Sequence, residues 1–96
     1  MNKTKLAINR LENKIIRTLY FAHAEFLGKI SEPRYYNDLR TNGRRRVFKV
    51  LDYGLAAVWK KVLQGLEEAG IKGWSLWTGT AHGACPAIGI RKHELS

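Results

Sequence analysis

Arg44-Arg45-Arg46-Val47-Phe48-Lys49-Val50-Leu51-Asp52-Tyr53-Gly54-Leu55 is the stretch on which the fold turns, because it carries two incompatible periods. Taken together with residues 56–70, Val47, Leu51, Leu55, Val58, Val62 and Leu66 recur at helical spacing, with Phe48, Trp59 and Leu63 beside them. Lys49, Tyr53, Lys60, Gln64 and Glu67 gather on the opposite side, so one helix over residues 44–70 separates polar from apolar cleanly. Gly70 supplies its stop, and Ile71 the apolar contact that accompanies such caps. In the competing reading residues 45–51 form a strand, since Val, Phe and Val suit a pleated surface. Asp52-Tyr53-Gly54 then turns, and a helix starts at Leu55. Gly54 costs about 1 kcal/mol inside a helix. The continuous helix sorts the side chains better and is preferred here. It leaves one conflict: three arginines at its positive end and Glu67-Glu68 at its negative end both oppose the macrodipole.

Working outward, residues 5–30 read as a long amphipathic helix. Leu6, Leu11, Ile15, Leu19, Ala22, Phe26 and Ile30 form its apolar side, flanked by Ile8, Ile16 and Leu27. Lys3, Arg10, Lys14 and Arg17 fall within an arc of roughly 60° on the other side, a basic stripe. Residues 31–43 connect the two helices. Ser31 can cap a short helix with Pro33 in its first turn, Tyr35, Tyr36 and Leu39 turned inward and Arg34 and Arg40 outward. Asn42-Gly43 closes that segment as a turn.

Beyond Gly70, Trp74–Thr78 and Ala87–Arg91 read as two strands of a hairpin, joined by the small residues of 79–86. Strand alternation sends Trp74 to one face and Trp77 to the other, so one is core and the other is exposed or stacks on a partner. The resulting fold class is α+β, mainly helical, a single domain over residues 1–96. It comprises two long amphipathic helices and a C-terminal β-hairpin; in the alternative, residues 45–51 add a third strand and the order is α-βαββ.

The composition is ordinary except in sign. Seventeen Lys and Arg stand against eight Asp and Glu, giving a formal charge of +9 over 96 residues. Twelve of the basic and four of the acidic side chains lie in residues 1–49, against five and four in the remainder. Such concentration points to an anionic partner. The single cysteine excludes an internal disulfide framework and suits a reducing cytoplasmic setting. No run approaches the roughly 20 apolar residues of a transmembrane helix, so no membrane partner is expected.

Catalytic chemistry is sparse. His82, Cys85 and His93 lack the four paired ligands of a structural zinc site. Nothing orients His82 as a base for Cys85. The glycines of 79–83 are not followed by a phosphate-loop lysine, and the carboxylates are scattered. The sequence therefore predicts no enzyme, metal or cofactor. It predicts a small basic protein binding DNA or RNA with little base specificity. Arg44, Arg45 and Arg46 would clamp phosphates, Arg40 and Lys49 would extend the patch, and Lys3, Arg10, Lys14 and Arg17 would form a second row. Trp77 and Tyr36 are the stacking candidates. Alanine at all three corner arginines would then abolish binding at little cost to stability. The alternative function is a phage- or plasmid-type inhibitor or accessory protein, in the manner of anti-CRISPR or anti-restriction proteins, docking on a host nucleoprotein complex. An exposed Trp77 and a hairpin edge also invite a homodimer.

Overall fold

The computed structural model describes residues 3–26, 32–38, 45–81 and 83–93. Helix α1 (Lys3–Phe26) leads to strands β1 (Arg34–Asp38) and β2 (Arg45–Val50), and a single 3-10 turn (Tyr53–Leu55) leads into helix α2 (Ala56–Glu68). Strands β3 (Trp74–Ala81) and β4 (Cys85–His93) complete an antiparallel sheet in the order β1-β2-β4-β3. The fold is α+β, with both helices packed on one face of the sheet. No described helix is long and apolar enough to cross a membrane.

The decisive stretch divides. Arg45–Val50 is a strand, and the continuous helix over 44–70 does not form. Two neighbours satisfy the strand's backbone: Tyr36 of β1 stands opposite Val47, and Ile90 of β4 opposite Phe48. The break is local chemistry. The Asp52 carboxylate accepts from Gly54 N at 2.8 Å, and Leu55 N donates to Asp52 O at 3.0 Å. α2 therefore starts at Ala56 and runs only 13 residues. With Arg45 and Arg46 in a strand, the dipole conflict at the head of the helix disappears. The connection also differs from expectation within its described residues 32–38; Ser31, Leu39 and the Asn42-Gly43 turn lie outside them. Arg34–Asp38 is a strand and not a short helix, because Tyr35 and Tyr36 find cross-strand partners; the Tyr35 ring lies 4.7 Å from that of Phe48. Pro33 is buried just ahead of the strand, where its missing N–H costs no ladder bond.

α1 turns inward a row different from the one its apolar spacing suggests. Glu12, Ile16, Tyr20 and Ala24 are buried, whereas Leu11 is 60% exposed. Tyr20 stacks at 4.8 Å on Trp59 of α2; burial, with the charge of Asp52 adding to it, pushes the Tyr20 hydroxyl up to about 12. The helices meet where Leu19 lies against Gly65. Leu55, Val58, Trp59, Val62 and Leu66 join Phe48, Val50, Ile88 and Ile90 in the core. α2 ends as its sequence predicts: Gly70, at φ 77°, donates to Glu67 O, Ile71 N donates to Leu66 O, and Ile71 packs on the core.

Candidate nucleic-acid interface

The arginine corner does not act as a unit. Arg40 and Arg44 lie outside the described residues. Arg45 and Arg46 are consecutive strand residues, so their side chains leave opposite faces of the sheet. Arg46 goes to the helix side and is 1% exposed. Its Nη1 donates to Glu12 Oε1 at 2.9 Å and Asn9 Oδ1 at 3.1 Å. Its Nη2 donates to Asn13 Oδ1 at 2.6 Å and the Asn9 carbonyl at 3.1 Å, and its Nε donates to the Tyr35 hydroxyl at 3.3 Å. The guanidinium also lies 5.0 Å from the centre of the Trp74 ring. Arg46 is a core residue and not a phosphate clamp.

Glu12 is the hinge of this network. Lys92 Nζ reaches both of its oxygens at 2.9 Å. Burial alone would push the Glu12 carboxyl up, but the Lys92 and Arg46 hydrogen bonds and charges outweigh it and hold the group below its ordinary value. The positions Asn9, Glu12 and Asn13, spaced i, i+3, i+4 in line with Ile16 and Tyr20, were the available signal for a buried cation partner.

The other side of the sheet carries no described helix, an arrangement open to antiparallel sheets. Alternation places Arg45, Val47 and Lys49 of β2 on it. Their register partners share that face: Tyr36 and Arg34 on β1, and Arg91 and Gly89 on β4. Trp77 and Ser75 of β3 stand opposite Gly89 and Arg91 and complete it. Arg45, Lys49, Tyr36, Trp77 and Arg91 are all half-buried. Lys49 Nζ sits 4.8 Å from the centre of the Tyr36 ring and 5.9 Å from the nearer Trp77 ring. Arg34, Tyr35, Tyr36, Lys49 and Thr80, drawn from both faces by alternation, line one depression beside this surface. The two stacking candidates and two basic candidates of the sequence, Arg45 and Lys49, separated by up to 41 positions, thus converge on one surface; Arg34 and Arg91 join them unforeseen.

The α1 stripe is a separate surface. Lys3, Arg10 and Lys14 are exposed on the helix layer, and Arg17 is half-buried. Arg17 donates to Glu32 Oε1 at 2.7 Å and lies 5.8 Å from the Phe21 ring centre. Trp74 turns to the core side and contacts Phe48. Cys85 is exposed, and among the described residues no three His, Cys, Asp or Glu side chains group to hold a metal.

No protein-family model matches this chain, and neither a curated protein nor a solved structure proved similar to it.

Proposed function

We propose that this chain is a small nucleic-acid-binding protein whose contact surface is the face of the sheet opposite the described helices, with Arg34, Arg45, Lys49 and Arg91 meeting phosphates. The observation that carries the reading is the Lys49 ammonium within 6 Å of both the Tyr36 and the Trp77 ring centres on a face with three arginines. Cationic and aromatic groups interleaved on an accessible sheet suit a polyanion that also bears planar rings. Contacts to phosphates carry no sequence information, so little base specificity is expected.

A titration across a salt series tests this. Four neutralised phosphates give log affinity a slope against log salt near −3.6 for duplex DNA or near −2.8 for a single strand. A binding constant that does not move with salt would falsify the proposal.

A further inference from the structure

We infer that the ligand of this face is single-stranded nucleic acid, with unpaired bases stacking on Trp77 and Tyr36 and with Lys49 passing from the rings to a phosphate between them; the inference rests on the nucleic-acid reading above.

The Trp77 indole carries the first part. A Cβ built on Gly79 would fall 2.5 Å from Trp77 Cζ2 and 2.9 Å from Cη2. The six-membered ring therefore occupies the space over a residue that has no side chain. It lies along its own strand, supported from below by backbone. An aromatic plane laid on a sheet surface is a platform for another planar ring.

The floor beside it is bare for a separate reason. Gly89 stands between Trp77 and Lys49 in the register, and a Cβ there would lie 1.7 Å from the Phe48 carbonyl oxygen. No other residue fits, so the Lys49 side chain can cross open backbone toward Trp77. Tyr36 and Trp77 belong to the two edge strands, three strand spacings or roughly 14 Å apart at the backbone. Yet both rings come within 6 Å of the same nitrogen. Lys49 thus reaches the Tyr36 ring and the Trp77 ring together, across the bare floor that Gly89 leaves.

A duplex cannot use this arrangement, because its base faces are already stacked and only its edges and phosphates are accessible. A single strand can. Bases seated on two separated rings are splayed apart, and the phosphate that links them falls where Lys49 already stands. Exchanging a ring contact for a phosphate replaces a cation–π interaction by a charge-assisted hydrogen bond, the stronger of the two. Arg34, Arg45 and Arg91 then hold the flanking phosphates. DNA and RNA strands offer the same two groups, and both belong in the test.

The experiment is fluorescence anisotropy with labelled oligonucleotides of about 12 nucleotides, within the usual range of single-strand site sizes. DNA and RNA strands and the duplex of the same sequence are each titrated at two salt concentrations. The single strands are expected to bind at least tenfold tighter than the duplex. Trp77→Leu should lose about tenfold on the single strand, with the salt slope unchanged and the duplex unaffected. Trp77→Phe should recover most of that loss, and Tyr36→Leu should repeat it at the second ring. Circular dichroism melting shows that each variant is folded. Equal affinity for strand and duplex, or Trp77→Leu and Tyr36→Leu both within twofold of the parent, overturns the inference. If those aromatic variants bind normally while alanine at Arg45, Lys49 and Arg91 abolishes binding, the nucleic-acid reading stands and stacking alone falls. Absence of salt-dependent binding to any oligonucleotide removes both.

Discussion

Replacing Arg46 by alanine tests whether the middle of the basic run is structure or surface. The substitution removes a guanidinium that donates to Glu12, Asn9, Asn13 and Tyr35 from a site 1% exposed. Glu12 keeps Lys92, whose side chain is 21% exposed, so its charge is only partly compensated. Breaking a buried ion pair from one side costs about 3–5 kcal/mol. Domains of this size lose roughly 4–8 °C of melting temperature per kcal/mol. Arg46→Ala should therefore melt at least about 12 °C below the parent, read by circular dichroism and by urea titration. Arg46→Lys should recover part of the loss, because an ammonium keeps the charge but cannot span Asn9, Glu12 and Asn13 together. Arg45→Ala, one position away on the other face and half-buried, should cost clearly less than Arg46→Ala. The decisive comparison is between neighbours. An Arg46→Ala protein within about 1 kcal/mol of the parent, against the 3–5 expected, would refute the placement of this side chain and, with it, the strand register of β2.

Glu12 sets a pH dependence whose sign follows from its lowered pKa. A carboxyl held below its unfolded value of about 4.3 stabilises the fold above that pH and loses the contribution as pH falls through the folded value. Urea midpoints should thus be level near neutrality and drop below about pH 4, and Glu12→Gln should be destabilised at pH 7 while showing a flatter acid limb. Two glycines should respond in opposite ways. Gly89→Ala forces a methyl onto the Phe48 carbonyl and should cost about 3 kcal/mol or more, whereas Gly65→Ala meets only the end of the Leu19 side chain at 3.0 Å and should stay within about 1 kcal/mol in thermal melts. The triple variant Arg45→Ala, Lys49→Ala, Arg91→Ala should reduce the single-strand salt slope by about 2. Arg10→Ala with Lys14→Ala should leave that slope unchanged in the same titration, since those residues lie on the helix layer.

The α+β class was legible because periodicity and turn chemistry are local: α1, the C-terminal hairpin, the Gly70–Ile71 stop and the opposed fates of Trp74 and Trp77 all come from spacings within a few residues. Residues 45–50 were not, and the reason is physical. β2 is a central strand, and Val47 is 1% exposed even though it does not face the helices. With four of its six residues buried and only Arg45 and Lys49 half-buried, β2 shows no simple alternation of polar and apolar. Its one polar inward residue, Arg46, looks like surface until its partners are known. Those partners lie 34 and 37 positions earlier, beyond the reach of any local pattern. Assigning Arg46 to solvent weakens the strand and strengthens the helix. A single misplaced side chain carries the whole assignment with it, as a one-residue register slip would.

The same alternation decides where the positive charge goes. Three consecutive arginines suggest one anion site, but a strand cannot present three neighbours to one ligand. Arg46 spends its donors on Glu12 and two asparagines. Arg45 goes to the open face, where Lys49 of the same strand and Arg91, two register positions along β4 from Arg45's own partner, carry the same sign. The net charge of +9 does not by itself locate a contact surface. Location comes from register, which sets Arg34 opposite Lys49 and Trp77 opposite Gly89. The α1 stripe is held apart from this surface by the sheet itself, and at its end Arg17 is already engaged by Glu32 at 2.7 Å. A ligand lying flat on the strands therefore meets four cations and two rings before it meets the stripe. Its affinity should depend on aromatic planes as much as on charge, which net charge alone does not reveal.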